Sequence, residues 1–217
     1  AKDGMVDGAM DGAVRAGDRA RPGVSPRPGR IIVVRHGRPA LDREAGPRLD
    51  WRQYRDWWAK YETGSLAAGQ ACPDALRRLA GRGAVVFASS RPRAQETAAM
   101  IACGCEVTHN PIFNEAPLPP PHWSERRRYL PKTGNKIARL AWLLGHSDGE
   151  EHVVATRRRA AEAAKLLAET ASEGRDVVLA AHGWFNRMLR RPLERAGWRC
   201  VRDGGDAYWS YRVYERR

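Results

Sequence analysis

The 217-residue chain has no apolar segment approaching the ~18 uninterrupted residues that a membrane-spanning helix needs. Nothing in it therefore reads as a transmembrane helix, and no membrane partner is expected. Cysteine is scarce too: Cys72, Cys103, Cys105 and Cys200 are the only four, and their spacing forms no metal or redox motif. So few cysteines in a chain this long imply no disulfide framework, which places the expected setting in a reducing cytoplasm. Compact clusters of His, Cys and Asp at ligand spacing are also missing, so neither a metal nor a cofactor is expected. Negative charge is in short supply, with 25 acidic against 38 basic residues and a net charge of +13.

A basic surface suits nucleic acid, an anionic membrane face or a small anionic substrate. Here 33 of the 38 basic residues are arginine, beside abundant Ala and Gly, a bias that GC-rich coding produces without selection for binding. The chain shows no zinc-finger spacing, RNA-binding aromatic signature or internal repeat, so nucleic acid is not the expected partner. Two arginine triplets stand out locally. Arg126-Arg127-Arg128 follows a proline-rich loop and is placed to guard a crevice mouth, whereas Arg157-Arg158-Arg159 falls inside an expected helix and reads as a solvated face. Residues 1–29 are rich in Gly, Asp, Arg and Pro without the roughly 7–15-residue apolar stretch of a signal peptide. They read as a flexible tail before a single domain over residues 30–217.

What is present centres on strand ends. Arg35-His36-Gly37 follows the apolar run Ile31-Ile32-Val33-Val34, and His182-Gly183 follows Val177-Val178-Leu179-Ala180-Ala181. Parallel strands of an open α/β sheet deliver their carboxyl ends to one crevice, so histidines this far apart in sequence can meet there. A third run, Ala84-Val85-Val86-Phe87-Ala88, leads into Ser89-Ser90 and then Arg91-Pro92-Arg93-Ala94-Gln95-Glu96-Thr97-Ala98, read as a strand, a turn and a helix with Pro92 in its first turn. A helix amino end there favours an anion, and Arg93 adds a planar fork of donors matched to phosphate oxygens. A weaker fourth strand over residues 105–108 leads to Glu115 on a rigid proline-rich loop, where a carboxyl group can serve as a general acid.

These residues together resemble the histidine phosphatase superfamily, also called phosphoglycerate-mutase-like. The family's R-H-G stands here as Arg35-His36-Gly37, its S-x-x-x-R-A-x-x-T-A as Ser89, Arg93-Ala94 and Thr97-Ala98, and its late H-G as His182-Gly183, in the family's order over roughly residues 31–215. The resemblance implies that His36 is the nucleophile that becomes phosphorylated, that Arg35, Arg93 and His182 form the phosphate pocket with Ser89 and Gly183 beside them, and that Glu115 is the proton donor. Phosphoglycerate mutases of the family typically carry Glu-Ser/Thr after R-H-G and a nearby Trp-Asn, whereas this chain runs Arg38-Pro39-Ala40-Leu41-Asp42. The expected activity is accordingly a metal-independent phosphatase acting on a small phosphorylated substrate through phosphohistidine. A mutase-type phosphotransferase, a non-catalytic phospho-ligand-binding protein and a basic nucleic-acid-binding protein are the alternatives.

The expected fold is an open, mostly parallel α/β sheet with helices on both faces and a small inserted lid. Trp51, Tyr54, Trp57, Trp58 and Tyr61 recur at spacings of three and four and mark an amphipathic helix whose stripe reads as core, with a ligand platform as the alternative because the segment follows the His36 loop. Residues 134–145 and 150–173 read as two further helices. Residues 207–214, rich in β-formers, read as a final edge strand.

Overall fold

A computed structural model describes residues 27–217 apart from residue 82, so most of the expected tail lies outside the described residues. Among the described residues the strands are β1 (Ile31–Arg35), β2 (Val85–Ala88), β3 (Val107–His109), β4 (Val177–Ala181), β5 (Trp198–Asp203) and β6 (Tyr211–Arg216). They form one sheet in the order β3-β2-β4-β1-β6-β5. The first four are mutually parallel, and β6 and β5 add an antiparallel margin.

The apolar runs are continuous because both faces of the sheet are covered. Successive side chains point to opposite faces, so Ile31 and Val33 of β1 join one core cluster while Ile32 and Val34 join the other. On the first face lie α5 (Val153–Ser172) and α6 (Gly183–Arg195), packing Ala160, Ala164, Leu167, Phe185 and Leu189. On the second lie α2 (Asp74–Ala80) and α3 (Pro92–Ala102), packing Leu76, Ala98 and Ile101.

The lid comes from two separate stretches, one between β1 and α2 and one between Glu115 and α5. It contains α1 (Trp51–Glu62) and α4 (Pro131–Leu143), and an antiparallel bridge from Leu49 to Tyr129 ties the stretches together. The aromatic stripe of α1 supplies the lid's own core, in which Tyr54, Trp57, Trp58 and Tyr61 pack with Leu49, Leu118 and Ala138. Asp50 caps α1 by accepting from the Arg52 and Gln53 backbone N–H groups.

Three expectations need correction. The final strand begins only at Tyr211, because residues 207–210 turn, with Ser210 N–H donating to the Ala207 carbonyl and Trp209 at φ 64°. That strand is not an edge: β6 lies between β1 and β5, and the unforeseen β5 takes the margin. The fourth strand starts at Val107 rather than residue 105, since Cys103 (φ 49°) and Gly104 (φ 90°) are spent reversing the chain after α3.

Candidate active site

The sheet order puts β2, β4 and β1 side by side, and their pairing aligns Ala88 with Ala180 and Arg35 with Ala181. Their carboxyl ends therefore finish at one level, and the residues that follow, Ser89, His182 and His36, share one crevice. The rings of His36 and His182 lie 5.2 Å apart, centroid to centroid. Both side chains are almost wholly buried, as are Ser89 and Arg93.

Hydrogen bonds fix the tautomers. His36 Nδ1 lies 2.7 Å from the Gly37 carbonyl oxygen, which can only accept, so Nδ1 carries the proton. The Nε2 lone pair accepts from Arg93 Nε at 3.2 Å. His182 presents the opposite pair: Arg93 Nη2 approaches its Nδ1 at 3.4 Å, so Nε2–H donates to Ser89 Oγ at 2.7 Å. Burial, and then the Arg93 guanidinium, hold both imidazoles well below their ordinary proton affinity, with Arg35 adding to the effect on each. Two neutral rings thus direct lone pairs toward one edge of one arginine.

Arg93 sits in the first turn of α3, behind the Arg91 cap and Pro92. Its Nε and Nη2 face the histidines, while the remaining donors are held by the end of α1. Nη1 donates to the Tyr61 and Glu62 carbonyls at 2.6 and 3.0 Å, and Nη2 donates to Glu62 Oε1 at 2.6 Å. The other Glu62 oxygen lies 3.0 Å from Arg91 Nε, an ion pair without hydrogen-bond geometry.

Arg35 lies with its guanidinium carbon 4.4 Å from the Tyr208 ring centroid and donates Nη1 to the Asp206 carbonyl. Its buried Nε has no acceptor among the described residues. The two histidine–glycine pairs have a steric basis. A Cβ on Gly183 would lie 3.2 Å from Arg35 Nε, and one on Gly37 would lie 2.8 Å from the Trp209 indole.

Glu115 is held at the amino end of α6. Its Oε1 accepts from Phe185 N–H at 2.8 Å and from Ala116 N–H at 2.9 Å, and Oε2 accepts from Trp184 N–H at 3.2 Å. The loop carrying it is pinned by Arg159, whose Nη1 donates to the Ile112 and Asn114 carbonyls, and by Arg139, which donates to those of Ala116 and Pro117. Arg159 thus departs from the solvated face expected of its triplet, because its position on α5 points it inward while Arg157 and Arg158 stay exposed. Arg126, Arg127 and Arg128 are exposed and are not among the cavity-lining residues.

A cavity of about 480 Å³ opens over these groups. Of the expected site residues, Arg35, His36, Arg93, Glu115 and Gly183 line it, and His182 and Ser89 stand one layer behind. Trp58 and Tyr61 of the aromatic stripe line the cavity as well, so that stripe faces it in part, while sequence reasoning missed Arg43, Glu62, Lys132, Asn135, Lys136, Arg139, Arg187 and Asp206. The only local signal was the i, i+4, i+7 spacing of Lys132, Lys136 and Arg139, which sets three cations on one face of α4. Among the described residues no group of three or more His, Cys, Asp or Glu is placed to hold a metal ion, and no helix is long and apolar enough to cross a membrane.

Known proteins share this arrangement at the level of fold. The chain is similar to mycobacterial glucosyl-3-phosphoglycerate phosphatase solved with VO3, at 22% identity and a TM-score of 0.53, covering 87% of this chain and 96% of that one. It is similar to phosphoglycerate mutase from Bacillus anthracis, at 14% identity and a TM-score of 0.54 over 88% and 90% of the two chains. It is also similar to a phosphoserine phosphatase mutant from Entamoeba histolytica solved with phosphoserine, at 15% identity and a TM-score of 0.51 over 85% and 89%. No curated protein matches in sequence. The model of the histidine phosphatase superfamily, branch 1, matches residues 31–203, and the chain belongs to that superfamily.

Proposed function

We propose that the protein is a metal-independent phosphatase that hydrolyses a small phosphomonoester through a phosphohistidine at His36. One observation carries this reading: the Nε2 lone pair of a buried, neutral His36 faces the Nε and Nη2 edge of Arg93. A phosphoryl group entering there displaces the Arg93–histidine contacts and receives the freed donors, together with the unpartnered Arg35 Nε.

The reaction proceeds in two displacements. His36 Nε2 forms a bond to phosphorus as the ester P–O bond breaks, and Glu115 passes a proton to the departing alkoxide. The Glu115 carboxylate then takes a proton from water as that oxygen attacks phosphorus, the P–N bond breaks, and neutral His36 returns with inorganic phosphate. Arg35 and Arg93 offset the charge on the equatorial oxygens in both steps. Nδ1–H stays bonded to the Gly37 carbonyl throughout, which spreads the positive charge that develops on the imidazole.

Transfer to water rather than to a second substrate fits the chain after Gly37, where Arg38-Pro39 stands in place of the mutase residues. Purified protein tested on a panel of phosphomonoesters in strong chelator should release phosphate and be inhibited by vanadate. Activity lost in chelator and restored by a divalent ion would contradict the scheme, and phosphoryl transfer to an added acceptor in preference to water would make the protein a mutase.

A further inference from the structure

The turn between β5 and β6 lies against Arg35-His36-Gly37 and meets it with two aromatic side chains. Arg35 N–H donates to the Ser210 carbonyl at 2.9 Å, and Trp209 N–H reaches the His36 carbonyl at 3.4 Å. Trp209 stands at φ 64°, a region that bulky side chains rarely adopt. Its surroundings hold it there: the indole N–H donates to Gln70 Oε1 at 3.0 Å, and the ring fills the space left by the missing Cβ of Gly37. Upstream, Asp206 takes Arg187 Nη2 at 2.5 Å and Arg212 Nη2 at 3.0 Å, and Asp203 takes Arg212 Nε at 2.9 Å. Tyr208 stands between these braces, and no step of the phosphoryl transfer described above uses it.

The guanidinium carbons of Arg35 and Arg43 lie 4.4 and 5.6 Å from the Tyr208 ring centroid, and the His36 ring lies 5.7 Å from the same centroid. A ring face attracts a guanidinium within about 6 Å. The buried Nε of each arginine has no acceptor among the described residues. Burial, and then the like charge of Arg43, lower the proton affinity of Arg35, so the two cations oppose each other. Arg93 is oriented by a carboxylate, which also cancels part of its charge. An aromatic face orients a cation without cancelling it, and the full charge is left for an anion.

We propose that Tyr208 is a positioning residue of the phosphoryl pocket: its ring gathers Arg35 and Arg43 beside His36, so that both guanidinium groups are in place before the phosphoryl group enters. Arg43 thereby joins Arg35 and Arg93 among the cations that meet the phosphoryl oxygens. The inference rests on the phosphatase reading for the role of His36, although anion binding can be measured without turnover.

Calorimetric titration with inorganic phosphate provides the test, on the wild type, Tyr208→Leu, Tyr208→Phe, Arg43→Met and the double variant Tyr208→Leu/Arg43→Met. Tyr208 is only partly buried, so its replacement leaves the core intact, and thermal melts would verify that each variant is folded. Tyr208→Leu and Arg43→Met should each weaken phosphate binding at least tenfold, whereas Tyr208→Phe, which keeps the ring, should bind within threefold of the wild type. Because both residues act through one contact, the double variant should lose less affinity than the product of the separate losses, which a general structural effect would reach in full. Binding within threefold of the wild type in Tyr208→Leu or in Arg43→Met, a loss in Tyr208→Phe as large as in Tyr208→Leu, or losses that multiply in full would overturn the assignment. A wild type that binds no phosphate would overturn it together with the phosphatase reading. Phosphate binding with the expected dependence, in a protein that hydrolyses no ester, would count against the phosphatase reading alone.

Discussion

Glu62 Oε1 grips Arg93 Nη2 at 2.6 Å, and the grip turns the opposite edge of that guanidinium toward His36 and His182. The pair is buried, with side-chain exposures of 12% and 1%. Desolvation offsets most of what such a pair gains in Coulomb energy, so its contribution lies in orientation more than in stability. Because Glu62 ends a lid helix and Arg93 begins a helix of the sheet domain, the contact joins the lid to the phosphate pocket.

Glu62→Gln keeps the shape of that contact and removes its charge. Arg93 should then sample other orientations, lowering kcat/KM for an aryl phosphate by about 10- to 100-fold, the range expected when a reacting group is displaced by an ångström or less. Glu62→Asp should recover part of the loss. Steady-state kinetics on both variants would check this, and a change below threefold in Glu62→Gln would show that Arg93 holds its place without the carboxylate.

Stability should fall on acidification in a window set by the two histidines. Their folded-state proton affinities lie well below the ordinary value of 6.5. Above pH 6.5 both rings are neutral in folded and unfolded chains and contribute nothing. Below it the unfolded chain binds protons that the folded one refuses, so stability drops by up to about 1.4 kcal/mol per pH unit for each histidine. Thermal melts from pH 7.5 to 5 should show the decline, and His182→Gln should flatten it. An unchanged slope in that variant would place the titration elsewhere.

Anion binding should draw in a proton. With Nδ1–H of His36 and Nε2–H of His182 committed to protein acceptors, both remaining nitrogens meet a bound oxyanion with lone pairs. Sulfate stays dianionic across neutral pH, so its binding requires one imidazole to take up a proton. Its dissociation constant should rise about tenfold per pH unit between pH 6.5 and 8.5, the slope for one linked proton. Inhibition by sulfate that ignores pH would contradict the tautomers.

Glu115→Gln tests the proton donor. Alkyl phosphates, whose alkoxides leave poorly, should slow by about 10²–10⁴-fold, while aryl phosphates, whose phenolates need little help, should slow less. Phosphohistidine should accumulate with an aryl substrate because the same carboxylate activates water. Equal slowing of both classes without accumulation would move the acid to another carboxylate.

The parts of this site legible in the sequence are those placed by local rules. Arg35-His36, Ser89 and His182 each follow an unbroken apolar run, and strands covered on both faces advertise their ends in that way. Arg93 was legible because Pro92 marks a first turn. Glu62 was not, since the aromatic stripe of α1 announces the helix but not what its last carboxylate meets 31 residues later. The capping of Glu115 was hidden because α6 carries Pro192 and a run of arginines, which mask its helical pattern. The strand β5 was hidden by its charged residues Arg199, Arg202 and Asp203 and by the register shift between Cys200 and Arg202.

The central claim is that His36 carries the phosphoryl group, and trapping the intermediate tests it most directly. Wild-type protein mixed with a ³²P-labelled aryl phosphate and quenched within milliseconds should retain label that is lost in acid, survives base and maps to the peptide containing His36, with none on folded His36→Ala, which should also lack turnover. Acid-stable label, label on Ser89 or Ser90, or undiminished turnover in folded His36→Ala would contradict it.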